Sequence, residues 1–204
     1  PARGSAKQLV RLDAATLGYA GAPPVFERLD ASLLAGDRIG LLGRNGAGKS
    51  TLAKALAGTL PLGAGQRLFA QNLSVGYFAQ HQLEQLDPAA SPLLHLARID
   101  AGAREQELRD FLGGFDFRGD MVTAAVARFS GGEKARLVLA MIVRAKPQLL
   151  ILDEPTNHLD IEMREALAEA LQDFDGALVV VAHDRHLIAA TPDTLLLVNE
   201  GRVA

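Results

Sequence analysis

Gly43-Arg44-Asn45-Gly46-Ala47-Gly48-Lys49-Ser50, directly after the apolar run Ile39-Gly40-Leu41-Leu42, decides the reading of this chain. The octet keeps the spacing of a phosphate-binding loop: Gly, four variable residues, then Gly, Lys and Ser or Thr, placed between a strand and a helix. Its glycines let backbone N–H groups turn inward as an anion-binding nest, while Lys49 brings a compact charge to the β and γ phosphates. The Ser50 hydroxyl is suited to ligate Mg²⁺. A helix starting at Lys49, with Thr51 in its first turn, points its positive end at the same phosphates.

Three apolar runs of the chain lack period-2 alternation: Ile39 to Leu42, Leu149 to Leu152 and Ala177 to Ala182. That pattern belongs to strands covered on both faces of a parallel sheet. Each run stops at a polar group: the Gly43 loop, the pair Asp153-Glu154, and His183. Ligands of open α/β sheets bind outside the carboxyl ends of the strands, so these three loops are expected to converge on one crevice.

Asp153 at a strand end is placed to hold Mg²⁺ with Ser50, and Glu154 to orient and polarise an attacking water. Alone, such a pair reads as a turn or helix cap; beside a phosphate loop it reads as catalytic. His183 is positioned to donate to a γ phosphate as charge develops there. His186 competes for that role, but lies a turn further on and reads as surface. Gln80 closes the strand-like stretch Leu73 to Ala79, within reach of Mg²⁺ or the attacking water, although an isolated Gln there is usually just solvated. The Tyr19 ring is suited to stack on a purine base, or to fill an edge strand. Nearly any aromatic would stack, so preference for ATP over GTP is weakly specified.

Ser130-Gly131-Gly132-Glu133 precedes an apolar helical stretch, Ala135 to Ala145. One reading is a capping box, with Ser130 and Glu133 satisfying free N–H groups of the first turn. The other uses the paired glycines to bring helix N-terminal donors close to a phosphate held by another domain. Both can hold at once. Asp160 is expected to cap an amphipathic helix from Ile161 to Phe174, ended by Asp175-Gly176.

The 204 residues, 49% of them hydrophobic, suffice for a buried core and most simply form one domain with two lobes. With 21 basic and 24 acidic residues, the formal charge of −3 argues against coating nucleic acid by bulk electrostatics. There are no cysteines, which excludes disulfides and Cys-metal sites and fits a reducing cytosol. The longest apolar run, Leu137 to Val143, is far short of the ~20 residues of a membrane helix, so no direct membrane span is expected. Phe111, Phe115 and Phe117 read as packing residues, because no basic clustering accompanies them. The polar stretch Pro1 to Lys7 and the strand-turn pattern before Ala204 suggest a piece of a longer protein.

The order of GRNGAGKS, Gln80, Phe129-Ser130-Gly131-Gly132-Glu133, Leu149-Leu150-Ile151-Leu152-Asp153-Glu154, Thr156-Asn157-His158-Leu159-Asp160 and His183 resembles the ATP-binding-cassette (ABC) ATPase domain from end to end. By that resemblance these are its Walker A, Q-loop, signature, Walker B, D-loop and H-loop. The wordings FSGGEKARL, DEPTNHLD and AHDRH resemble the ABC-F proteins, soluble factors with two tandem cassettes that act on the ribosome, and most of all the second cassette of a bacterial member. Phe129 stands where the family usually has Leu, a change at the dimer face that leaves Ser130, Gly131 and Gly132 intact.

The resemblance implies a P-loop α/β fold with a mostly parallel sheet, N-terminal antiparallel strands and a helical signature subdomain. The core would take residues about 8–82 and 147–204, and the helical part about 83–146. It implies ATP and Mg²⁺ as cofactors and Asp160 at a dimer face. The expected partner is a second cassette, as sister domain or as a second copy, with the ribosome and its RNA for the whole protein. The alternative is the motor subunit of an ABC membrane transporter.

Overall fold

The computed structural model describes residues 6–79, 82–157 and 159–204. The chain divides into two units. One holds the described residues up to Tyr77 with Pro147–Asp153 and Asp175–Ala204, and the other holds Phe78–Lys146 and Glu154–Phe174.

In the first unit, strands β1 (Gln8–Leu17), β2 (Phe26–Leu34) and β4 (Ala64–Phe69) form an antiparallel sheet in the order β2-β1-β4. A second sheet runs β5-β6-β7-β3-β8-β9, with β3 at Arg38–Leu42, β5 at Val75–Phe78, β6 at Leu149–Asp153, β7 at Ala177–Val181, β8 at Thr194–Asn199 and β9 at Arg202–Val203. β6, β7, β3 and β8 are parallel, and β9 returns antiparallel along β8. The fold is thus the α/β P-loop type with a mixed, mostly parallel sheet, as the sequence led us to expect.

Every residue of β6 and β7 is buried, which is why neither alternates. Helix α1 (Lys49–Ala57) lays Leu52, Ala53, Ala55 and Leu56 into one cluster with Ile39, Leu41, Leu149, Ile151, Val179 and Val181. Each buried Leu, Ile or Val side chain there contributes about 1.5–3 kcal/mol, so this one face of the sheet fixes where α1 starts relative to the strand ends. The helix ends at Gly58 in the left-handed region, φ 85°, while the Arg67 guanidinium donates to the Ala55 and Leu60 carbonyls at 3.2 and 2.7 Å. A short helix between β7 and β8, Arg185–Ala190, is capped by Asp184, whose side chain accepts from the His186 and Leu187 N–H groups.

The second unit is helical: α2 (Pro92–Ile99), α3 (Glu105–Gly114), α4 (Gly131–Arg144) and α5 (Ile161–Gln172), with the Arg185–Ala190 helix of the first unit being α6. Leu96, Leu108, Leu112, Leu137 and Leu139 are almost fully buried within it. Arg144 Nη2 lies 2.7 Å from Asp100 Oδ2, tying α4 to the end of α2. Phe115 and Phe117 are buried, and Phe117 stacks with Phe129 at 5.9 Å between ring centroids, so the Phe cluster is packing. Helix α4 begins at Gly131, four residues earlier than its apolar run, because the capping box starts it. Helix α5 stops at Gln172, two residues short of Phe174.

Candidate functional site

The sheet order β6-β7-β3 sets the carboxyl ends of these three parallel strands side by side in the first unit. Asp153 is the last residue of β6, His183 lies two residues past β7, and Gly43 follows β3. Topology alone therefore gathers the three loop starts.

Two glycines hold the loop close to its surroundings. A Cβ on Gly43, φ 154°, would run into the Val198 carbonyl. One on Gly48, φ 107°, would lie 2.6 Å from Val25 and 2.8 Å from the Phe26 ring. Gly48 is also the N-cap of α1 and has no side chain to satisfy the first-turn N–H groups, which leaves those donors to a ligand or solvent. Arg44, Asn45, Gly46 and Ala47 complete the turn, closed by the Ala47 N–H donating to the Arg44 carbonyl at 3.1 Å.

Lys49 is only 6% exposed, and its ammonium donates to the Gly43 carbonyl at 2.5 Å. His183 Nε2 sits 2.9 Å from Asn45 Oδ1 and 3.5 Å from Lys49 Nζ. The two contacts cannot both be good bonds from one nitrogen. Asn45 Oδ1 can only accept, so the shorter contact makes Nε2–H the donor, and the Lys49 ammonium, itself a donor, then makes no bond to that nitrogen.

Ser50 donates its hydroxyl hydrogen to the Asp153 carboxylate. Burial holds the Asp153 carboxyl above the ordinary carboxylate range, against the Ser50 hydrogen bond and the Lys54 and Lys49 charges. Asp153 Oδ1 is buried without a hydrogen-bond partner among the described residues. Tyr19 lies beyond the end of β1 with 45% of its surface exposed, its hydroxyl 3.3 Å from Thr51 Oγ1 and 3.4 Å from Lys54 Nζ. The Lys54 ammonium lies 5.4 Å from the Tyr19 ring centroid. Sequence reasoning passed over Lys54, whose signal was its place four residues after Ser50 on the same helix face.

In the second unit, Glu154 has a left-handed backbone, φ 50°, uncommon for a residue with a Cβ. Ser130 accepts from the Glu133 N–H at 3.2 Å, and Glu133 Oε1 accepts from the Ser130 N–H at 2.9 Å, a complete capping box ahead of Gly131 and Gly132. Asp160 Oδ1 accepts from the Met163 N–H at 2.8 Å and caps α5, next to Ile161, which is 74% exposed. Gln80 and His158 lie outside the described residues.

The residues fit a magnesium nucleotide. Mg²⁺ is usually held by one or two carboxylates and hydroxyls together with substrate phosphates. Asp153 with an unpartnered buried oxygen, Ser50 on its carboxylate and a glycine nest beside Lys49 make that donor set. No group of three or more His, Cys, Asp or Glu able to hold a metal unaided occurs among the described residues.

A strand, glycine loop and helix with an acidic strand end beside it define a P-loop nucleotide-binding protein. Residues 26–157 match the family described as ABC transporter, and the chain belongs to that family. It is 56% identical to the probable ATP-binding protein YheS of Escherichia coli strain K12, over 96% of this chain and 30% of that protein. It is 40% identical to ATP-binding cassette sub-family F member 3 of Mus musculus, over 96% of this chain and 28% of the mouse protein. The chain thus spans under a third of the length of these curated relatives and corresponds to an ATP-binding cassette of the F type. Among solved structures, a bacterial Atm1-family ABC exporter with ATP bound matches with a TM-score of 0.80 at 23% identity, covering 100% of this chain and 39% of the exporter chain. At that identity the likeness speaks for the fold. No helix among the described residues is long and apolar enough to cross a membrane.

Proposed function

We propose that this cassette hydrolyses ATP, and that the longer protein carrying it is a cytoplasmic factor of the ABC-F kind that acts on the ribosome in translation. The observation that carries the ATPase reading is the grouping of Lys49, Ser50, Asp153 and His183 at adjacent strand ends. The first-turn N–H groups of α1 and Lys49 hold the phosphates, Tyr19 stacks on the base, and Ser50, Asp153 and Gln80 hold Mg²⁺, which neutralises developing phosphate charge when bound. Glu154, the residue after the buried Asp153, orients and polarises the attacking water. His183 turns its Nε2–H from Asn45 to the γ phosphate.

The first-turn glycines Gly131 and Gly132, directly after the Ser130 cap, and the exposed Asp160-Ile161 corner support a second cassette as partner, with Ser130 completing the site of the other nucleotide. The translation role is supported by the F-type relatives and by the motif wordings. The test is Glu154→Gln in the intact protein. ATP binding should persist, hydrolysis should stall, the closed pair of cassettes should accumulate, and the protein should co-sediment with ribosomes. Hydrolysis at the wild-type rate would remove the assignment of Glu154, and free sedimentation would remove the translation role.

A further inference from the structure

Only three side-chain polar atoms among the described residues are buried without a partner, and two of them, Tyr77 Oη and Asp153 Oδ1, belong to neighbouring strands. Tyr77 lies on β5, the neighbour of β6. The Leu149 N–H donates to the Ser74 carbonyl at 3.1 Å, and Gln148 and Ser74 exchange side-chain bonds at 3.1 and 2.9 Å. This parallel register sets Leu149 opposite Val75 and Ile151 opposite Tyr77, with Asp153 two residues further along the same face. Val75 and Tyr77 indeed pack on the cluster that contains Leu149 and Ile151. Tyr77 and Asp153 are therefore diagonal neighbours, a separation that long side chains bridge. Burial raises the Tyr77 phenol well above its ordinary range, with the Asp153 charge next in effect and Tyr19 after it.

A buried orphan donor and a buried orphan acceptor at diagonal positions on one face each cost about 1–3 kcal/mol unless something joins them. One water satisfies both: it accepts from the phenol O–H and donates to the carboxylate oxygen. Building on the nucleotide-site reading above, we propose that Tyr77 is a positioning residue of the metal site, whose hydroxyl holds Asp153 Oδ1 through one bridging water and so fixes the carboxylate that serves Mg²⁺ with Ser50. Neighbours that orient a metal-binding carboxylate in this way tune affinity without touching the ion.

The experiment is Tyr77→Phe in the intact protein, read by ATP-binding calorimetry across a Mg²⁺ titration and again in EDTA. The concentration of Mg²⁺ giving half its effect on ATP affinity should rise about tenfold, while ATP affinity in EDTA stays as in wild type. In an Asp153→Asn background the same substitution should add nothing. The melting temperature without nucleotide should stay close to wild type, because only one water-mediated hydrogen bond is removed. An unaltered Mg²⁺ dependence overturns the proposal, as does an equal loss of affinity with and without the metal, which marks a packing role. Wild type that takes up ATP without any Mg²⁺ dependence would instead overturn the site reading on which this one rests.

Discussion

His183 Nε2 and Asn45 Oδ1 meet at 2.9 Å, so the imidazole that follows β7 is held by the phosphate loop that follows β3. The bond joins two loops whose strands are neighbours in the sheet, and it sets the ring's tautomer. His183→Ala should lower single-turnover hydrolysis by about 100-fold, the usual loss for one donor to transition-state charge. Asn45→Ala removes one of the contacts that hold the imidazole, and should lower it by a smaller factor. Calorimetry should show ATP affinity little changed in both.

Gly48→Ala should be the most damaging small substitution in the loop. The added Cβ meets Val25 and Phe26 at 2.6 to 2.8 Å in a left-handed backbone, so the loop must move. The strain alone amounts to about 1–3 kcal/mol, and the displaced first-turn donors of α1 lose the phosphates. Thermal melting without nucleotide and ATP titration together check this: a lower melting temperature and lost binding are expected.

Much of this was readable from residue order. β3, β6 and β7 announced themselves as unalternating apolar runs because both their faces are covered, and the glycine loop because phosphate binding demands backbone that few residues can adopt. The start of α4 was legible only as a capping choice, and the apolar run alone placed it four residues late. Lys54 and Tyr77 were not legible. One reads as a surface lysine and the other as strand filler until the helix phase of α1 and the register of β5 on β6 turn them toward Tyr19 and Asp153. Register is a tertiary quantity, and a one-residue slip would send Tyr77 to the opposite face.

Asp153 carries a sign that can be tested without nucleotide. Its folded-state pKa is raised, chiefly by burial, so the protonated form is favoured by folding. Its contribution to stability is fully present below the ordinary carboxylate range and is lost as pH rises through the elevated value. In EDTA, wild type should therefore lose melting temperature across that window relative to Asp153→Asn, in which this dependence should be flat. With Mg²⁺ and ATP present the order should invert, because only the carboxylate serves the metal.

Tyr19→Ala should weaken ATP binding about tenfold, in keeping with roughly 1–3 kcal/mol for stacking a base on an aromatic ring. Tyr19→Trp should retain it. GTP should lose a similar factor, since a ring held by Thr51 and Lys54 offers a face to any purine. A loss confined to ATP in parallel titrations would mean that Tyr19 reads the base edge instead.

Ser130 has two roles that one substitution separates. Its side chain accepts from the Glu133 N–H and starts α4, so Ser130→Ala should cost about 1 kcal/mol through the cap alone. Asp caps as well as Ser, so Ser130→Asp should keep the melting temperature of the unliganded protein near wild type. It also places a carboxylate beside Gly131 and Gly132, where a phosphate of the partner's nucleotide is proposed to sit. Repulsion there should abolish ATP-driven pairing of cassettes in the Glu154→Gln background while leaving ATP binding to the Lys49 loop intact. Gel filtration with ATP decides: separated cassettes with a normal melting curve assign Ser130 to the partner's site, and undiminished pairing would leave it as a helix cap and nothing more.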